Sequence, residues 1–319
     1  MTSNPASPRP GIGMMGIDSG LNGWLVIDKP LGVTSNRVVE VVGRQIRAKV
    51  GHAGTLDPLA TGVLPIAVGE ACKTTAYAMT GRKRYRFRIR WGISRITDDC
   101  EGEIIGECPT RPSRDAIEAI FASFTGTIQQ QPPVYSAIRI NGHRAYKLAR
   151  SNKPTLLPER PVEIAELRLV SIPDHDHAEC EALVGKGCYI RALARDLGLA
   201  LGTLAHISEL RRLSVGRFTE SQAITLDSIA GCGHIARGGC GFLLPVETGL
   251  DDIPALVVTG AEAARLRNGQ RVTPGVADTL ARCAQLGERE IICAWHGGAL
   301  VALVRIEGGC LRPIRVFNC

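Results

Sequence analysis

Several things are missing from this chain, and each absence excludes something. Aromatic residues make up only 4% of 319 residues, so every Tyr and Trp needs a place. No two of the 11 cysteines stand in C-x-x-C spacing, which removes a zinc ribbon or a dithiol redox pair. Their number is odd and the chain is large, so buried, reduced thiols of a cytoplasmic protein are the expectation. No apolar run reaches the length of a membrane span. Residues 1–22 are rich in Pro, Gly and Ser and lack the apolar centre of a signal peptide; they read as a disordered tail. A soluble, cytoplasmic chain without a membrane partner is expected. There is no P-loop, no G-x-G-x-x-G loop and no metal-ligand cluster, so neither a cofactor nor a metal is expected. Internal repeats and coiled-coil heptads are absent as well.

What is present suits one large domain and one small one. Hydrophobic residues reach 45%, enough for a sizeable core. Lys and Arg outnumber Asp and Glu by 38 to 31, a net charge of +7 that favours polyanionic partners. Gly23 to Pro30 reads as a short strand ended by a proline turn. Thr34-Ser35-Asn36 offers a helix N-cap, and Val38, Val39, Val41, Val42 and Ile46 follow at near-helical spacing. Val63–Val68, Leu167–Ile172 and Ala178–Val184 read as strands. Asp115–Phe124 and Tyr189–Leu201 read as helices, the second with Ile190, Leu193, Ala194 and Leu197 on one face. Residues 128–160 read as irregular and basic. Asp251-Asp252-Ile253-Pro254 reads as a linker, followed by a small, mildly basic, β-rich module.

Three stretches could carry chemistry. The first is GHAGTLDPLATGVLP at 51–65. Leu56-Asp57-Pro58 fits a β-turn, with Asp favoured first and Pro second. On that evidence alone Asp57 is better explained as a structural turn residue than as a catalyst. Three glycines nevertheless leave room for a ligand to approach. Only Glu70 offers a second carboxylate nearby in sequence, whereas glycosidases use two. His52 is either a base, a stacking group or a satisfied turn residue. The second stretch is the alternating strand 84–91, with Arg84, Arg86, Arg88 and Arg90 on one face and Tyr85, Phe87, Ile89 and Trp91 on the other. It is either a half-buried strand with a basic exposed face or a phosphate-facing surface with an aromatic for base stacking. The third is Gly185-Lys186-Gly187-Cys188-Tyr189-Ile190-Arg191, where a strand turns into a helix. Its backbone amides could receive an anion. A cation in the first turn opposes the helix dipole, so Arg191 points to a partner such as a buried carboxylate.

Taken together, these stretches resemble the TruB-type tRNA pseudouridine synthases. The resemblance rests on GWLVIDKPLGVTSN at 23–36, GHAGTLDPLATGVLPIAVGEACK at 51–73, RKRYRFRIRWG at 82–92, GKGCYIRALARDLG at 185–198, ELRRLSVGRF at 209–218 and RNGQRV at 267–272. It implies an α+β fold: a large mixed, mainly antiparallel sheet flanked by helices, with a small β-rich PUA-like domain at the C-terminus. The expected division is a tail at 1–22, a catalytic domain at 23–250 with an RNA-gripping insertion at about 128–160, and the PUA-like domain at 251–319. The implied activity is isomerisation of uridine 55 in the T loop of tRNA, by a monomer that needs no guide RNA and no cofactor. The implied roles are catalysis for Asp57, stacking on the base for Tyr85, packing near it for Tyr189, and pairing with Asp57 for Arg191. His52 would stabilise the rearranged T loop, and Lys29, Pro30 and Lys73 would shape or border the site. Two other readings are a non-catalytic RNA-binding protein and a guide-RNA-dependent enzyme of the dyskerin type. A retaining glycosidase would need a second carboxylate about 5 Å from Asp57, and the sequence offers none.

Overall fold

A computed structural model describes residues 20–136, 138–140, 142–151, 157–231, 241–275 and 290–318. Most of the predicted tail, residues 1–19, lies outside them. In chain order the first elements are β1 (Gly23–Lys29), α1 (Ser35–Ile46), β2 (Val50–His52), β3 (Ala60–Val68), α2 (Thr75–Ala78) and β4 (Lys83–Trp91). Then come β5 (Ile93–Arg95), β6 (Ile104–Glu107), α3 (Arg114–Ile120), β7 (Gly126–Gln130), β8 (Arg139–Ile140), β9 (His143–Arg144) and α4 (Ala145–Arg150). The part of the chain before the smaller sheet closes with β10 (Arg160–Asp174), β11 (His177–Val184), α5 (Ile190–Ala200), β12 (Ala205–Val215), β13 (Phe218–Thr219), β14 (Ile224–Thr225) and α6 (Leu226–Gly231). The final elements are β15 (Ala255–Val257), α7 (Gly260–Arg267), β16 (Ile291–His296), β17 (Ala299–Glu307) and β18 (Cys310–Val316).

The large sheet runs β14-β1-β3-β12-β4-β11-β10-β7. Only β1 with β14 and β3 with β12 pair in parallel; the other pairs are antiparallel. The expected α+β class with a mixed, mainly antiparallel sheet is the one observed. Alternation along each strand decides what covers each face. Leu25, Ile27, Leu64, Ile66, Phe87 and Ile89 join Val38 and Val42 of α1 and Leu193 and Leu197 of α5 in the main core. Trp24, Val26, Val63 and Ala67 point the other way and meet Cys293, Leu300, Leu303 and Phe317 of the smaller sheet. Trp24 Nε1 donates to the Val246 carbonyl at 3.0 Å, and its ring lies 5.0 Å from that of Phe218. The smaller sheet runs β15-β16-β17-β18, and its far face has its own core with α7.

Two expectations need correction. The stretch 128–160 is not wholly irregular: β7 is an edge strand of the large sheet, followed by the β8–β9 hairpin and α4. Gln129 and Gln130 belong to that strand, because pairing with β10 overrides their weak strand preference. The second concerns the basic face of β4, which is not free. Arg84 pairs with Glu166 at 2.7 Å, Arg86 with Glu181 at 2.6 Å, Arg88 with Glu209, and Arg90 with Asp176 at 2.8 Å. Glu181 is buried and also holds Arg168. Glu181 on β11 and Glu209 on β12 stand directly opposite their arginines, where cross-strand neighbours of opposite charge attract; Glu166 reaches over from β10 and Asp176 from the turn between β10 and β11.

Candidate active site

The loop between β2 and β3 is held by groups from outside it. Asp57 O accepts from Ala60 N at 3.1 Å, so Asp57-Pro58-Leu59-Ala60 closes a turn with Asp first and Pro second. Ser35, at the start of α1, accepts from Leu56 N at 2.8 Å and donates to Leu56 O at 2.9 Å. Pro58 O receives Gly32 N at 2.8 Å and Lys29 Nζ at 3.2 Å. Arg212 of β12 donates to Gly54 O at 3.0 Å and to Val63 O at 2.8 Å. Gly62 has φ +97°, and a Cβ there would lie 2.2 Å from Arg212 O, so glycine is required. Lys29 and Arg212 are both fully buried, unusual for cations, and here they serve backbone carbonyls. Burial lowers the Lys29 ammonium to about 8, against the opposing field of Asp57.

This cradle leaves the Asp57 side chain 40% exposed beside Arg191, which is 5% exposed. Arg191 Nη2 lies 3.0 Å from Asp57 Oδ2 and also donates to Tyr135 O at 3.0 Å. Nη1 donates to Thr97 O at 2.8 Å and lies 3.3 Å from Asp99 Oδ2. The misplaced cation at the start of α5 therefore serves two carboxylates. Asp99 is oriented in turn by Thr97 Oγ1 at 2.5 Å and Glu101 N at 3.0 Å. A cavity of about 370 Å³ contains Asp57, Asp99, Glu101, Arg191, His52 and Tyr135 in its wall. The sequence offers only Glu70 as a second carboxylate near Asp57; the fold instead brings Asp99 and Glu101, from the segment after β5. Burial, then the charges of Asp99 and Asp57, push the Glu101 carboxyl up. Burial, then Arg212, pushes His52 down, so its ring is neutral at pH 7. His52 Nδ1 is buried without a hydrogen-bond partner among the described residues.

The other predicted residues lie outside the wall of this cavity. Tyr189 caps the start of α5; its N–H donates to Gln130 Oε1 at 2.8 Å and its carbonyl accepts from Gln130 Nε2 at 3.2 Å. Of the backbone amides at this helix start, that of Tyr189 is thus taken by Gln130 rather than open to an anion. The Arg160 guanidinium lies 5.2 Å from the Tyr189 ring centre. Tyr85, on β4 opposite Ala182 and Arg212, packs against the main core and is not in the cavity wall. Pro30 is exposed and its carbonyl accepts from Lys29 Nζ at 2.9 Å. Lys73 stands apart from the site. It pairs with Glu70 at 2.6 Å, donates to Val316 O at 2.7 Å and lies 5.8 Å from the Phe317 ring centre. Its place is the seam between the two sheets, because the short helical turn after β3 leads away from Asp57. Sequence reasoning missed Ser35, Asp99, Glu101, Gln130 and Arg212 as parts of the site. Arg212 and Ser35 lay inside quoted motifs, but only the fold reveals what they hold.

Comparison with known proteins gives the family. Residues 42–190 match the model of the TruB family pseudouridylate synthase N-terminal domain. Residues 191–251 match that of the tRNA pseudouridylate synthase B C-terminal domain. The chain is 51% identical over 303 residues to tRNA pseudouridine synthase B of Bradyrhizobium diazoefficiens, covering 93% of this chain and 86% of that one. It is 48% identical over 301 residues to the protein of the same name from Caulobacter sp. strain K31, covering 93% and 96%. The structure of a Cbf5-Nop10-Gar1 complex shares the fold, with a TM-score of 0.69 at 24% identity over 93% of this chain and 85% of that one. The chain belongs to the TruB family of pseudouridine synthases.

Proposed function

We propose that the chain converts uridine to pseudouridine in tRNA, at position 55 of the T loop. The reaction breaks the N1–C1′ bond, turns the freed uracil and joins C5 to C1′; the C5 hydrogen leaves as a proton and N1 takes one up, so the product is an isomer. The observation that carries this reading is the Asp57–Arg191 contact at 3.0 Å in the wall of a cavity. Asp57 assists the glycosidic cleavage. Arg191 is a fixed positive charge beside it, since a guanidinium stays protonated when buried. Lys29, Ser35 and Arg212 hold the loop so that the carboxylate meets the substrate in one position, which is how orientation lowers a barrier.

The target base must leave its stack, at a cost of a few kcal/mol. Stacking on Tyr85 returns about 1–3 kcal/mol, with Tyr189 packing beside the base. Since Tyr85 lies outside the wall of the Asp57 cavity, the base would span the space between them. His52, neutral and with a free ring nitrogen, would contact the rearranged T loop. With the arginines of β4 paired to carboxylates, phosphate binding is assigned to the insertion at about 128–160 within a catalytic domain at 23–250, and to the PUA-like domain at 251–319 that follows it. The protein acts as a cytoplasmic monomer without cofactor or guide RNA; the relatives near 50% identity carry the name tRNA pseudouridine synthase B. The test is the purified protein alone with an unmodified tRNA transcript. Conversion of one uridine, that at position 55, supports the reading; dependence on a guide RNA, or conversion elsewhere, overturns it.

A further inference from the structure

Helix α5 carries two guanidiniums one turn apart, Arg191 and Arg195. Two consecutive aspartates meet them separately. Asp99 Oδ2 lies 3.3 Å from Arg191 Nη1, and Asp98 Oδ2 lies 2.9 Å from Arg195 Nη1. Neighbours in a chain reach different turns of one helix because Asp98 adopts φ 58°, a left-handed backbone that Asp tolerates better than most residues. The Asp98 carbonyl is fixed as well, accepting from Ile207 N of β12 at 3.1 Å.

The far sides of the two guanidiniums repeat the arrangement. Arg191 Nη2 donates to Tyr135 O at 3.0 Å, and Arg195 Nη2 donates to Gln131 O at 2.7 Å. Arg195 Nε completes its set on Asp196 Oδ1 at 2.9 Å. Both arginines therefore bridge the same two segments, 97–99 on one side and 131–135 on the other. Only Arg191 touches Asp57, and Arg195 is not in the cavity wall. Stability alone is a poor reason for a partly buried pair of this kind, because well-packed apolar residues serve as well. Burial pushes the Asp98 carboxyl up to about 6 even with Arg195 beside it. Such a pair is suited to fixing position, and reaction rates are sensitive to displacements of about 1 Å.

We propose that Asp98 and Arg195 are positioning residues for the isomerisation: they lock α5 against segments 97–99 and 131–135, and thereby hold Arg191 on Asp57. The inference rests on the reading of Asp57 as the reacting carboxylate. Single-turnover rates and tRNA dissociation constants of Arg195→Gln, Arg195→Lys, Asp98→Asn and the Asp98→Asn/Arg195→Gln double variant test it, with Asp57→Asn and urea unfolding run in parallel. Arg195→Gln should slow the single-turnover step about ten- to a hundred-fold, with tRNA affinity changed less than about two-fold and the variant folded. Arg195→Lys, which keeps the charge, should recover part of the rate. The double variant should be no slower than the slower single, as for residues acting through one contact. An unchanged rate in folded Arg195→Gln, a loss that tracks unfolding or weakened tRNA binding, or additive effects would overturn the proposal. Turnover by Asp57→Asn would instead overturn the reading beneath it, so the two failures are distinguishable.

Discussion

Replacing Lys29 by Met probes how the catalytic loop is held. The Lys29 ammonium is fully buried and donates to Pro30 O at 2.9 Å, Val33 O at 2.7 Å and Pro58 O at 3.2 Å. Burial lowers it from 10.5 to about 8, a difference of about 3 kcal/mol between its protonation states. Hydrogen bonds to charged groups contribute about 1.5–3 kcal/mol each, so three of them outweigh that cost. Met fills similar volume but cannot donate. Pro58 O keeps its bond from Gly32 N, whereas Pro30 O and Val33 O lose the Lys29 donor. A loss of about 2 kcal/mol is expected, taking about 1 kcal/mol for each abandoned carbonyl. Turnover should fall at least about ten-fold, because Pro58 adjoins Asp57 and misplacement is expensive. The pH dependence has a definite sign. Between about pH 8 and 10.5 the unfolded chain holds this proton and the folded chain does not, so wild type gains up to about 3 kcal/mol relative to Lys29→Met as pH rises. Turnover moves the opposite way, falling as the ammonium is lost. Urea unfolding followed by circular dichroism, beside single-turnover rates, measures both. A stability gap that stays flat from about pH 7 to 10, or a Lys29→Met variant as stable and active as wild type, would refute the reasoning.

Tyr85→Phe should keep tRNA binding and much of the activity, whereas Tyr85→Ala should lose far more; equal activity in all three proteins would remove the stacking role. Glu181→Gln leaves Arg86 and Arg168 with a neutral partner. Burial opposes ionisation of Glu181, and hydrogen bonds from the two arginines outweigh it, so its carboxyl titrates below the usual range. Its contribution is present above the unfolded value and lost as pH falls through the folded one, so Glu181→Gln should lose about 1–3 kcal/mol in urea at pH 7 and less in acid. Lys73→Met should leave turnover on an isolated T stem-loop unchanged while loosening the smaller sheet, seen as faster proteolysis at its seam.

The legible parts of this protein were those written in local order. Alternation in β4 placed Phe87, Ile89 and Trp91 inside, and the turn chemistry of Asp57-Pro58 placed the loop. Arg191 announced a carboxylate partner because a cation in a first helical turn opposes the dipole. Contacts between distant segments were not legible. Nothing local to Thr97-Asp98-Asp99 says that consecutive aspartates will meet two turns of α5, a choice made by one left-handed residue and by pairing across the sheet. The arginine face of β4 misled for the same reason, since its carboxylates lie on β10, β11 and β12 and in the turn after β10. Lys73 sits in a long motif otherwise devoted to Asp57, yet the chain has turned away by then.

The central claim is that Asp57 performs the chemistry. Tritium at C5 of the uridines of an unmodified tRNA transcript reports it directly, because joining C5 to C1′ releases that hydrogen to water. The account predicts release of one equivalent per tRNA by wild type, and none by Asp57→Asn although that variant folds and binds the tRNA. Release by Asp57→Asn at a rate near that of wild type would contradict it.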